Sequence, residues 1–192
     1  MQNQITIDEL NGLLEKAKKG DLRAFETIVR TYQRYGLVVS FRILGSEDDA
    51  KDVVQEGFIR IWRNLKNYDS RAKFTTWMYK IIINLCYDRL KSEKRRKAMF
   101  DNITDETNEI SKLCSADVEK EFSKKETAAI IKYYSEGLPE KQRIVFALRD
   151  LEDLSVSEVV DITGMSEASV KTNLSLARKH IRTKIIGLKN EK

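Results

Sequence analysis

Apolar side chains recur at intervals of three and four residues through most of the chain, and this spacing restricts its fold more than any other feature. Ile7, Leu10, Leu14 and Ala17 are spaced in this way, which places them on one face of an amphipathic helix. Apolar and polar residues do not alternate over the length of a strand. Only 8 glycines and 1 proline occur among 192 residues, so few turns are available for a sheet protein. The sequence predicts an all-α fold.

Residues that favour helix ends divide this pattern into separate elements. A capping-box motif at Thr6 predicts the start of a first helix, and Asp21 and Ser46 predict the starts of the next two. The polar stretch 66–73 predicts a loop, and the apolar period resumes at Phe74 in a fourth helix. We therefore expect four helices in the first half of the chain.

Residues 98–116 differ in composition from the segments on either side. They contain four Asp and Glu against one Lys, and they show no sustained helical period. A polar, acidic stretch of this kind is typical of a flexible linker. We predict two small helical domains, residues 1–97 and 117–192, joined by this flexible linker.

The second domain has the element spacing of a helix-turn-helix. Pro139 is suited to the first turn of a helix over residues 139–151. A capping box at Ser155 predicts a helix of about two turns, and Gly164 predicts the tight turn before a last helix over residues 167–186. Two helices joined by such a turn are typical of DNA-binding proteins.

The charges of this domain are segregated along the chain. Residues 134–165 carry three Lys and Arg against seven Asp and Glu, whereas residues 166–192 carry seven against two. Because phosphates attract the basic part, the last helix is predicted to face DNA, with its N-terminal residues nearest the base edges. The alternative is a solvated basic helix without a nucleic-acid partner. The residues placed for groove and phosphate contacts are Ser169, Lys171, Thr172 and Ser175, and those predicted to face the core are Val170, Leu174 and Ala177.

The first domain carries two surfaces of opposite charge. Residues 46–57 contain five acids against one lysine, and because duplex DNA would repel them, a basic protein partner is predicted. Residues 71–97 contain nine Lys and Arg against two acids, with Phe74, Trp77 and Tyr79 among them. Cations that hold the backbone and rings that stack on bases are typical of a surface for single-stranded nucleic acid. The alternative is that Phe74 and Trp77 belong to the core.

Several classes of function lack the residues that they need. Cys86 and Cys114 have no Cys or His neighbours at metal-binding spacing, and with a single histidine in the chain neither a metal site nor a disulfide framework is expected. No glycine-rich phosphate-binding motif occurs, so no cofactor is expected. A nuclease would need clustered carboxylates for its metal ion, and the one such cluster is Asp48, Asp49, Asp52 and Glu56, of which Asp48, Asp52 and Glu56 could share a helix face. The nearby Lys51 favours a contact with a protein instead. No run of 18 apolar residues and no signal peptide is found, which favours a cytosolic protein.

Three stretches together resemble the extracytoplasmic-function sigma factors of bacterial RNA polymerase, group IV of the sigma-70 family. They are DAKDVVQEGFIRIWRNL at 49–65, FTTWMYKIIINLCYDRL at 74–90, and a stretch over 138–182 that begins LPEKQRIVFALR and continues into the helix-turn-helix. The resemblance covers nearly the whole chain, and the order and spacing of the motifs are specific. It implies that the first domain is sigma region 2, which binds polymerase and opens the minus-ten element. It implies that the second is region 4, which binds the minus-thirty-five element as duplex.

The resemblance assigns residues to three surfaces. The polymerase face would comprise Asp49, Asp52, Gln55, Glu56, Ile59, Trp62 and Arg63, although periodicity alone favours Trp62 as a core residue. The unpaired minus-ten strand would contact Asn67, Tyr68, Arg71, Lys73, Phe74, Thr75, Thr76, Trp77, Tyr79, Lys80, Asn84, Lys94, Arg95 and Arg96. The minus-thirty-five duplex would contact Ser166, Ser169, Lys171, Thr172, Ser175, Arg178 and Lys179. Asn173 and Leu176 stand where the family often has arginine, so the promoter preference of relatives does not transfer.

The resemblance also implies partners and a location. Core RNA polymerase and promoter DNA would be the partners, and an anti-sigma factor, often membrane-bound in the family, would hold the chain inactive. The chain would act in the bacterial cytoplasm, held at the inner membrane by that factor without inserting itself, and would have no catalytic residues. The alternative is a helix-turn-helix transcriptional regulator that binds an operator without polymerase. That alternative leaves both surfaces of the first domain without a role.

Overall fold

A computed structural model describes residues 5–100 and 137–190 of the chain. These residues form seven α-helices and no strand, which confirms the predicted all-α fold. The part of the chain that the resemblance predicts as region 2, and which keeps that label below, contains α1 (Ile7–Lys18), α2 (Leu22–Leu44), α3 (Glu47–Asn64), a 3₁₀ turn (Leu65–Asn67) and α4 (Phe74–Phe100). The part predicted as region 4, labelled in the same way, contains α5 (Glu140–Phe146), which continues into a π-helical turn (Ala147–Leu151), then α6 (Val156–Thr163) and α7 (Glu167–Asn190).

The predicted helix starts in region 2 are confirmed by their capping hydrogen bonds. The Thr6 hydroxyl accepts a hydrogen bond from the Glu9 amide, and the Glu9 carboxylate accepts one from the Thr6 amide at 2.8 Å. Asp21 accepts two amide hydrogen bonds at the start of α2, and Ser46 accepts one at the start of α3. Such caps satisfy backbone donors that have no partner within the helix, which is why these side chains mark the boundaries.

The core of region 2 is centred on Ile82, a fully buried residue of α4. A Cβ atom at Gly36 of α2 would lie 2.9 Å from Ile82 Cδ1, and one at Gly57 of α3 would lie 3.1 Å from Ile82 Cγ1. The two glycines therefore let α2 and α3 approach α4 more closely than larger residues would permit. This close packing gives α4 a fixed position against α2 and α3.

Region 4 has the helix-turn-helix arrangement that the sequence predicts. Gly164 ends α6 in a left-handed conformation with φ of 70°, which glycine adopts without steric cost, and α7 follows after two residues. Val170, Leu174 and Ala177 are buried, as predicted for the inner face of the last helix. The outer face of α7 is consequently the one on which Lys171 and Ser175 lie.

The two regions pack against each other and share one hydrophobic core. Buried residues of α4, α5, the π-helical turn and α6 belong to a single cluster, which includes Ile82 and Leu148. This packing was not expected from a chain predicted as two domains joined by a linker. α4 extends to Phe100, so the first residues of the predicted linker are helical, and the remainder of the linker lies outside the described residues. The helical spacing of Val118, Phe122, Ile130 and Tyr134 predicts a further helix that ends at Gly137, and this helix also lies outside the described residues.

Candidate protein and nucleic-acid interfaces

Arg89 of α4 partly neutralises the acidic side of α3. Arg89 donates a hydrogen bond to the Asp49 carboxylate at 2.8 Å, and its Nη2 lies 3.9 Å from Asp52. Burial alone would raise the pKa of Asp49, but the hydrogen bonds with Arg89 and Ser46 outweigh it and hold that pKa below its ordinary value. Asp52 is 71% exposed, so it is the acid of this pair that remains accessible to a partner. The sequence analysis did not assign Arg89 to this surface.

An apolar groove of about 530 Å³ lies between α2 and α3. Three of the residues predicted for the polymerase face, Gln55, Ile59 and Trp62, line it. Ile59 is 39% exposed, and the Trp62 ring is half-buried with its centroid 4.9 Å from that of Phe25. The other lining residues are Leu22, Phe25, Val29, Gln33, Leu37, Lys51, Val54 and Phe58. Trp62 is therefore both packed and part of a surface.

The α2 side of this groove was missed by the sequence analysis. Leu22, Phe25, Val29 and Leu37 form an apolar stripe beside the buried stripe of the same helix, and Leu22 is 66% exposed. The sequence contains a signal for this second stripe, because α2 carries more apolar residues than a single core-facing stripe needs. Of the other residues predicted for the polymerase face, Glu56 pairs with Arg60 at 2.8 Å, and Arg63 is exposed.

The loop before α4 is held by its own hydrogen bonds. The Tyr68 hydroxyl donates to the Ala72 carbonyl oxygen at 2.6 Å, and the Tyr68 ring is buried. Arg71 is exposed and binds Asp69, and hydrogen bonds from the Arg71 side chain and amide lower the pKa of Asp69. Asn67 is exposed at the start of the loop. The loop therefore presents Asn67 and Arg71 to the outside while Tyr68 anchors it.

Phe74 belongs to an aromatic cluster rather than to the surface. It is 3% exposed, and its ring lies edge-on to Tyr32 and Tyr68, at centroid distances of 5.3 and 5.8 Å. Trp77 is half-buried at the rim of the cluster, with its ring 5.1 Å from that of Tyr68. Phe74 is therefore a core residue, as the alternative interpretation of the sequence predicts. Only part of the Trp77 ring is accessible for stacking on a base.

The basic face of α4 combines exposed and covered residues. Lys80, Asn84, Arg95 and Arg96 are exposed, and Thr75 and Thr76 are half-buried. Tyr79 is 7% exposed, and burial, followed by the nearby charge of Glu152, raises its pKa to about 12. Lys73 lies 3.3 Å from Glu158 and Lys94 lies 3.6 Å from Glu140, so both lysines contact acids of region 4.

A basic groove of about 470 Å³ runs along α7. Four residues predicted for the minus-thirty-five duplex line it, together with Leu174 and Arg182. Arg178 donates two hydrogen bonds to Asp150, at 2.8 and 2.6 Å, which fixes the guanidinium at one side of the groove. Arg182, one turn further along, was counted in the basic charge but not assigned to the site. The predicted residues in the groove are Lys171, Ser175, Arg178 and Lys179.

The remaining predicted residues of α7 lie at its N-terminus. The Ser166 hydroxyl accepts a hydrogen bond from the Ser169 amide at 3.2 Å, so Ser166 caps the helix. Asn173 donates to the Ser169 carbonyl oxygen at 2.8 Å, Lys171 pairs with Glu167, and Thr172 is exposed. Ser166 and Ser169 thus already have structural hydrogen bonds, whereas Thr172 faces outward.

The Cys86 thiol and the metal-ligating side chains are the groups on which a reactive centre would depend. Cys86 is buried, and burial raises the pKa of its thiol to about 12 despite a hydrogen bond with Ser40. Within residues 5–100 and 137–190, the carboxylates, thiols and imidazole form no group able to hold a metal ion. No helix in these same ranges is both long and apolar enough to cross a membrane.

Comparison with known proteins identifies both regions. Residues 28–96 match the family described as sigma-70 region 2, and residues 128–181 match sigma-70 region 4. The ECF RNA polymerase sigma factor SigW of Bacillus subtilis is 30% identical over 91% of this chain and 96% of its own length. The ECF RNA polymerase sigma-E factor of Escherichia coli is 31% identical over 96% of this chain and 97% of its own length.

Two solved structures have a similar fold. CnrH, in complex with the cytosolic domain of CnrY, superposes with a TM-score of 0.64 at 21% identity over 91% of this chain and 96% of that one. The sigma factor RpoE, in complex with the anti-sigma factor NepR from Bartonella quintana, superposes with a TM-score of 0.65 at 17% identity. This match covers 84% of this chain and 96% of that one. At these sequence identities the similarity establishes only a shared arrangement of helices.

The chain belongs to the sigma-70 family, among the ECF RNA polymerase sigma factors. It is accordingly a sigma factor that directs transcription initiation. Its relatives are sigma factors, which are not enzymes.

Proposed function

We propose that the chain binds core RNA polymerase through the acidic side of α3 and the groove between α2 and α3. The observation that carries this proposal is that the exposed apolar side chain of Ile59 and the exposed acid Asp52 lie on the same helix. A buried apolar anchor supplies most of the affinity of such an interface, and charges around it steer a basic partner. The residues assigned to this face are Asp49, Asp52, Gln55, Glu56, Ile59, Trp62 and Arg63.

Region 2 would hold the melted minus-ten strand on α4 and the loop before it. Lys80 and Asn84 are exposed in the middle of α4, and Arg95 and Arg96 are exposed further along it. Cations of this kind bind the backbone of a single strand, and Trp77 at the rim of the aromatic cluster is positioned to stack on a base. Stacking is available only to bases already out of the duplex, so this surface would favour melted over paired DNA.

Region 4 would bind the minus-thirty-five element with α7 in the major groove. The basic groove of α7 supports this role, since Lys179 and Arg182 extend along the helix beyond the N-terminal residues. In a helix-turn-helix the N-terminal residues of the second helix contact base edges and the more distant cations contact phosphates. Thr172 and Ser175 are therefore proposed for base contacts, and Lys179 for phosphate.

Promoter recognition would proceed by binding alone, without a covalent step by this chain. A single helix-turn-helix buries little DNA surface, so the free chain is expected to bind promoter weakly. Docking of both regions on polymerase would fix their separation and make the two promoter elements one bivalent site. Capture of unpaired bases by region 2 would then stabilise the melted state.

An anti-sigma factor is proposed as the regulator of the chain. The similar folds CnrH and RpoE were each solved with a second protein, described for RpoE as an anti-sigma factor. Such a partner would cover the α2 and α3 groove and exclude polymerase. The chain would act in the bacterial cytoplasm and would be held at the inner membrane when its anti-sigma factor is anchored there.

The polymerase face can be tested by fluorescence anisotropy of the labelled chain titrated with bacterial core RNA polymerase. The double variant Asp52→Arg with Gln55→Ala is expected to bind at least tenfold more weakly than wild type, about 1.4 kcal/mol. Asp8→Arg, on the exposed side of α1, is the control and is expected to bind like wild type. Equal binding by the double variant, with folding verified by circular dichroism, would remove this face from the proposal.

A further inference from the structure

A large apolar side chain is exposed among the residues of α7 that are proposed to contact DNA. Leu176 is 47% exposed, whereas Leu174 and Ala177 on the inner face of the same helix are buried. Thr172 is exposed one turn before Leu176, and Lys179 is exposed one turn after it. Residues three and four apart are neighbours on a helix surface, so Leu176 lies between a residue proposed for base contacts and one proposed for phosphate.

The first three turns of α7 offer few donors for guanine. Guanine presents two acceptors in the major groove, O6 and N7, which arginine or lysine contacts with two hydrogen bonds. Between residues 166 and 177 the sequence contains one cation, Lys171, and it pairs with Glu167. The first arginine of the helix is Arg178, and its guanidinium donates two hydrogen bonds to Asp150. These turns are therefore poorly equipped to select guanine.

The amide of Asn173 is held against its own helix. Adenine is recognised by an Asn or Gln side chain that accepts a hydrogen bond at one atom and donates one at the other. The Asn173 amide nitrogen instead donates to the Ser169 carbonyl oxygen at 2.8 Å, and it lies 3.3 Å from the Ser169 hydroxyl oxygen. Asn173 is also half-buried. In this conformation its donor is directed away from a base edge.

Thymine has the major-groove edge that the remaining side chains complement. It presents the O4 acceptor beside a C5-methyl group, and apolar side chains contact that methyl group. Thr172 and Ser175 are exposed and carry hydroxyl groups that can donate to O4. Leu176 supplies apolar surface for the methyl group, and contact is favourable because it removes both from water.

We propose that Leu176 selects thymine in the minus-thirty-five duplex by packing against its C5-methyl group, with Thr172 and Ser175 donating hydrogen bonds beside it. The proposal rests on the function proposed above for α7 and specifies the base that its N-terminal turns recognise. Leu176→Arg would direct two donors at the same groove and would select guanine instead. One side chain thus sets the preferred base pair at one position of the element.

The base preference can be measured by selection from a pool of short duplexes with a random central segment. The full chain is incubated with the pool at low salt, which strengthens the phosphate contacts, and the bound duplexes are sequenced. Wild type is expected to enrich a site with an A·T pair that becomes G·C in the site enriched by Leu176→Arg. Ile186→Ala removes another exposed apolar side chain of α7 and is expected to select the wild-type site. An unchanged site for Leu176→Arg would overturn the proposal.

The methyl group itself is tested by replacing that thymine with deoxyuridine in the selected duplex. This change removes the C5-methyl group and keeps the base pair. In fluorescence anisotropy, wild type should bind the deoxyuridine duplex about fourfold more weakly, the effect expected for one methyl-sized group removed from water. Leu176→Ala should bind the two duplexes equally, because its side chain is too short to reach the methyl group. Equal binding of the two duplexes by wild type would overturn the contact.

A variant of a phosphate contact separates this proposal from the function on which it rests. Lys179→Ala is expected to weaken binding to both duplexes by the same factor. If Lys179→Ala leaves binding unchanged, or if no site is enriched, the function proposed for α7 fails together with the thymine contact. If Lys179→Ala weakens binding while wild type does not distinguish the two duplexes, only the thymine contact fails.

Discussion

The basic faces of α4 and α7 carry similar charge but have different surroundings. Lys73 and Lys94 of α4 each lie beside an acid that belongs to the other region. On α7, Arg178 pairs with Asp150 of its own region, and the groove next to it contains Lys179 and Arg182. A count of cations along a helix therefore does not establish whether they are available to a ligand, because their availability depends on what packs beside them.

The difference follows from the position of each helix in the fold. α4 is packed by α2 and α3 on one side, and α6 of region 4 packs on it from another. α7 packs chiefly on α5 and α6, within its own region, and its outer side remains open. Any movement of region 4 away from region 2 would therefore change the surroundings of α4 more than those of α7.

Removing two cations from the open basic face of α7 should have a large effect on DNA binding. In the double variant Lys179→Ala with Arg182→Ala, the loss of about two phosphate contacts should weaken duplex DNA binding by the full chain roughly tenfold or more at 0.1 M salt. The slope of log affinity against log salt should fall in magnitude by about 2. The matched variant Lys73→Ala with Lys94→Ala removes cations that are already paired with acids. We therefore expect it to lose less affinity for duplex DNA. Equal losses, measured by anisotropy over a salt series, would contradict the distinction between the two faces.

A smaller effect compares two capping boxes that lie in different surroundings. Thr6→Ala and Ser155→Ala each remove a helix N-cap, and each should lower the free energy of unfolding by about 1 kcal/mol in urea. Ser155 also holds the Glu158 carboxylate, which contacts Lys73, whereas among the described residues the Glu9 carboxylate is bonded only to Thr6 of its own capping box. Ser155→Ala should therefore also raise the affinity for oligothymidine, and Thr6→Ala should not. A rise in both variants would assign the effect to lost stability rather than to the contact between Glu158 and Lys73.

The smallest effect is a pH dependence at Glu158. Hydrogen bonds from the Ser155 amide and hydroxyl, followed by Lys73, hold the pKa of Glu158 below its ordinary value of 4.5. Because the folded pKa is the lower one, the stabilisation is complete above the unfolded pKa and is lost as the pH falls through the folded pKa. The difference in unfolding free energy between wild type and Glu158→Gln should therefore shrink as the pH falls below about 4.5. Urea titrations over this range test it, with Asp161→Asn as the control on the same helix, and a constant difference would contradict it.

Much of the local structure could be predicted because the signals are short-range. Thr6, Asp21, Ser46 and Ser155 cap the helices that they were predicted to start, and Gly164 makes the predicted turn. Each of these residues acts on backbone groups within three or four positions of itself, so its neighbours in the sequence are its neighbours in space. The family resemblance could be identified for a similar reason, since its motifs are contiguous stretches.

The candidate sites were predicted less completely, because each depends on residues far apart in the sequence. Phe74 has the spacing of a stacking residue and also of a core residue, and only the packing of Tyr32 against it decides that it is buried. Arg89 reaches Asp49 from another helix, and Leu22 joins the groove of α3 from α2. A periodic pattern gives the face of a helix but not the element that covers that face.

The all-α class, the positions of most helix ends, the helix-turn-helix and the segregation of charge follow from the amino-acid sequence alone. These properties depend on local hydrogen bonds, on side-chain period and on composition. The contact of Arg42 with Glu152, the burial of Tyr79 beside them and the packing of region 4 along α4 follow only from the folded arrangement of the helices. Desolvation and ion pairing depend on distances between helices, and the packing of the shared core sets those distances.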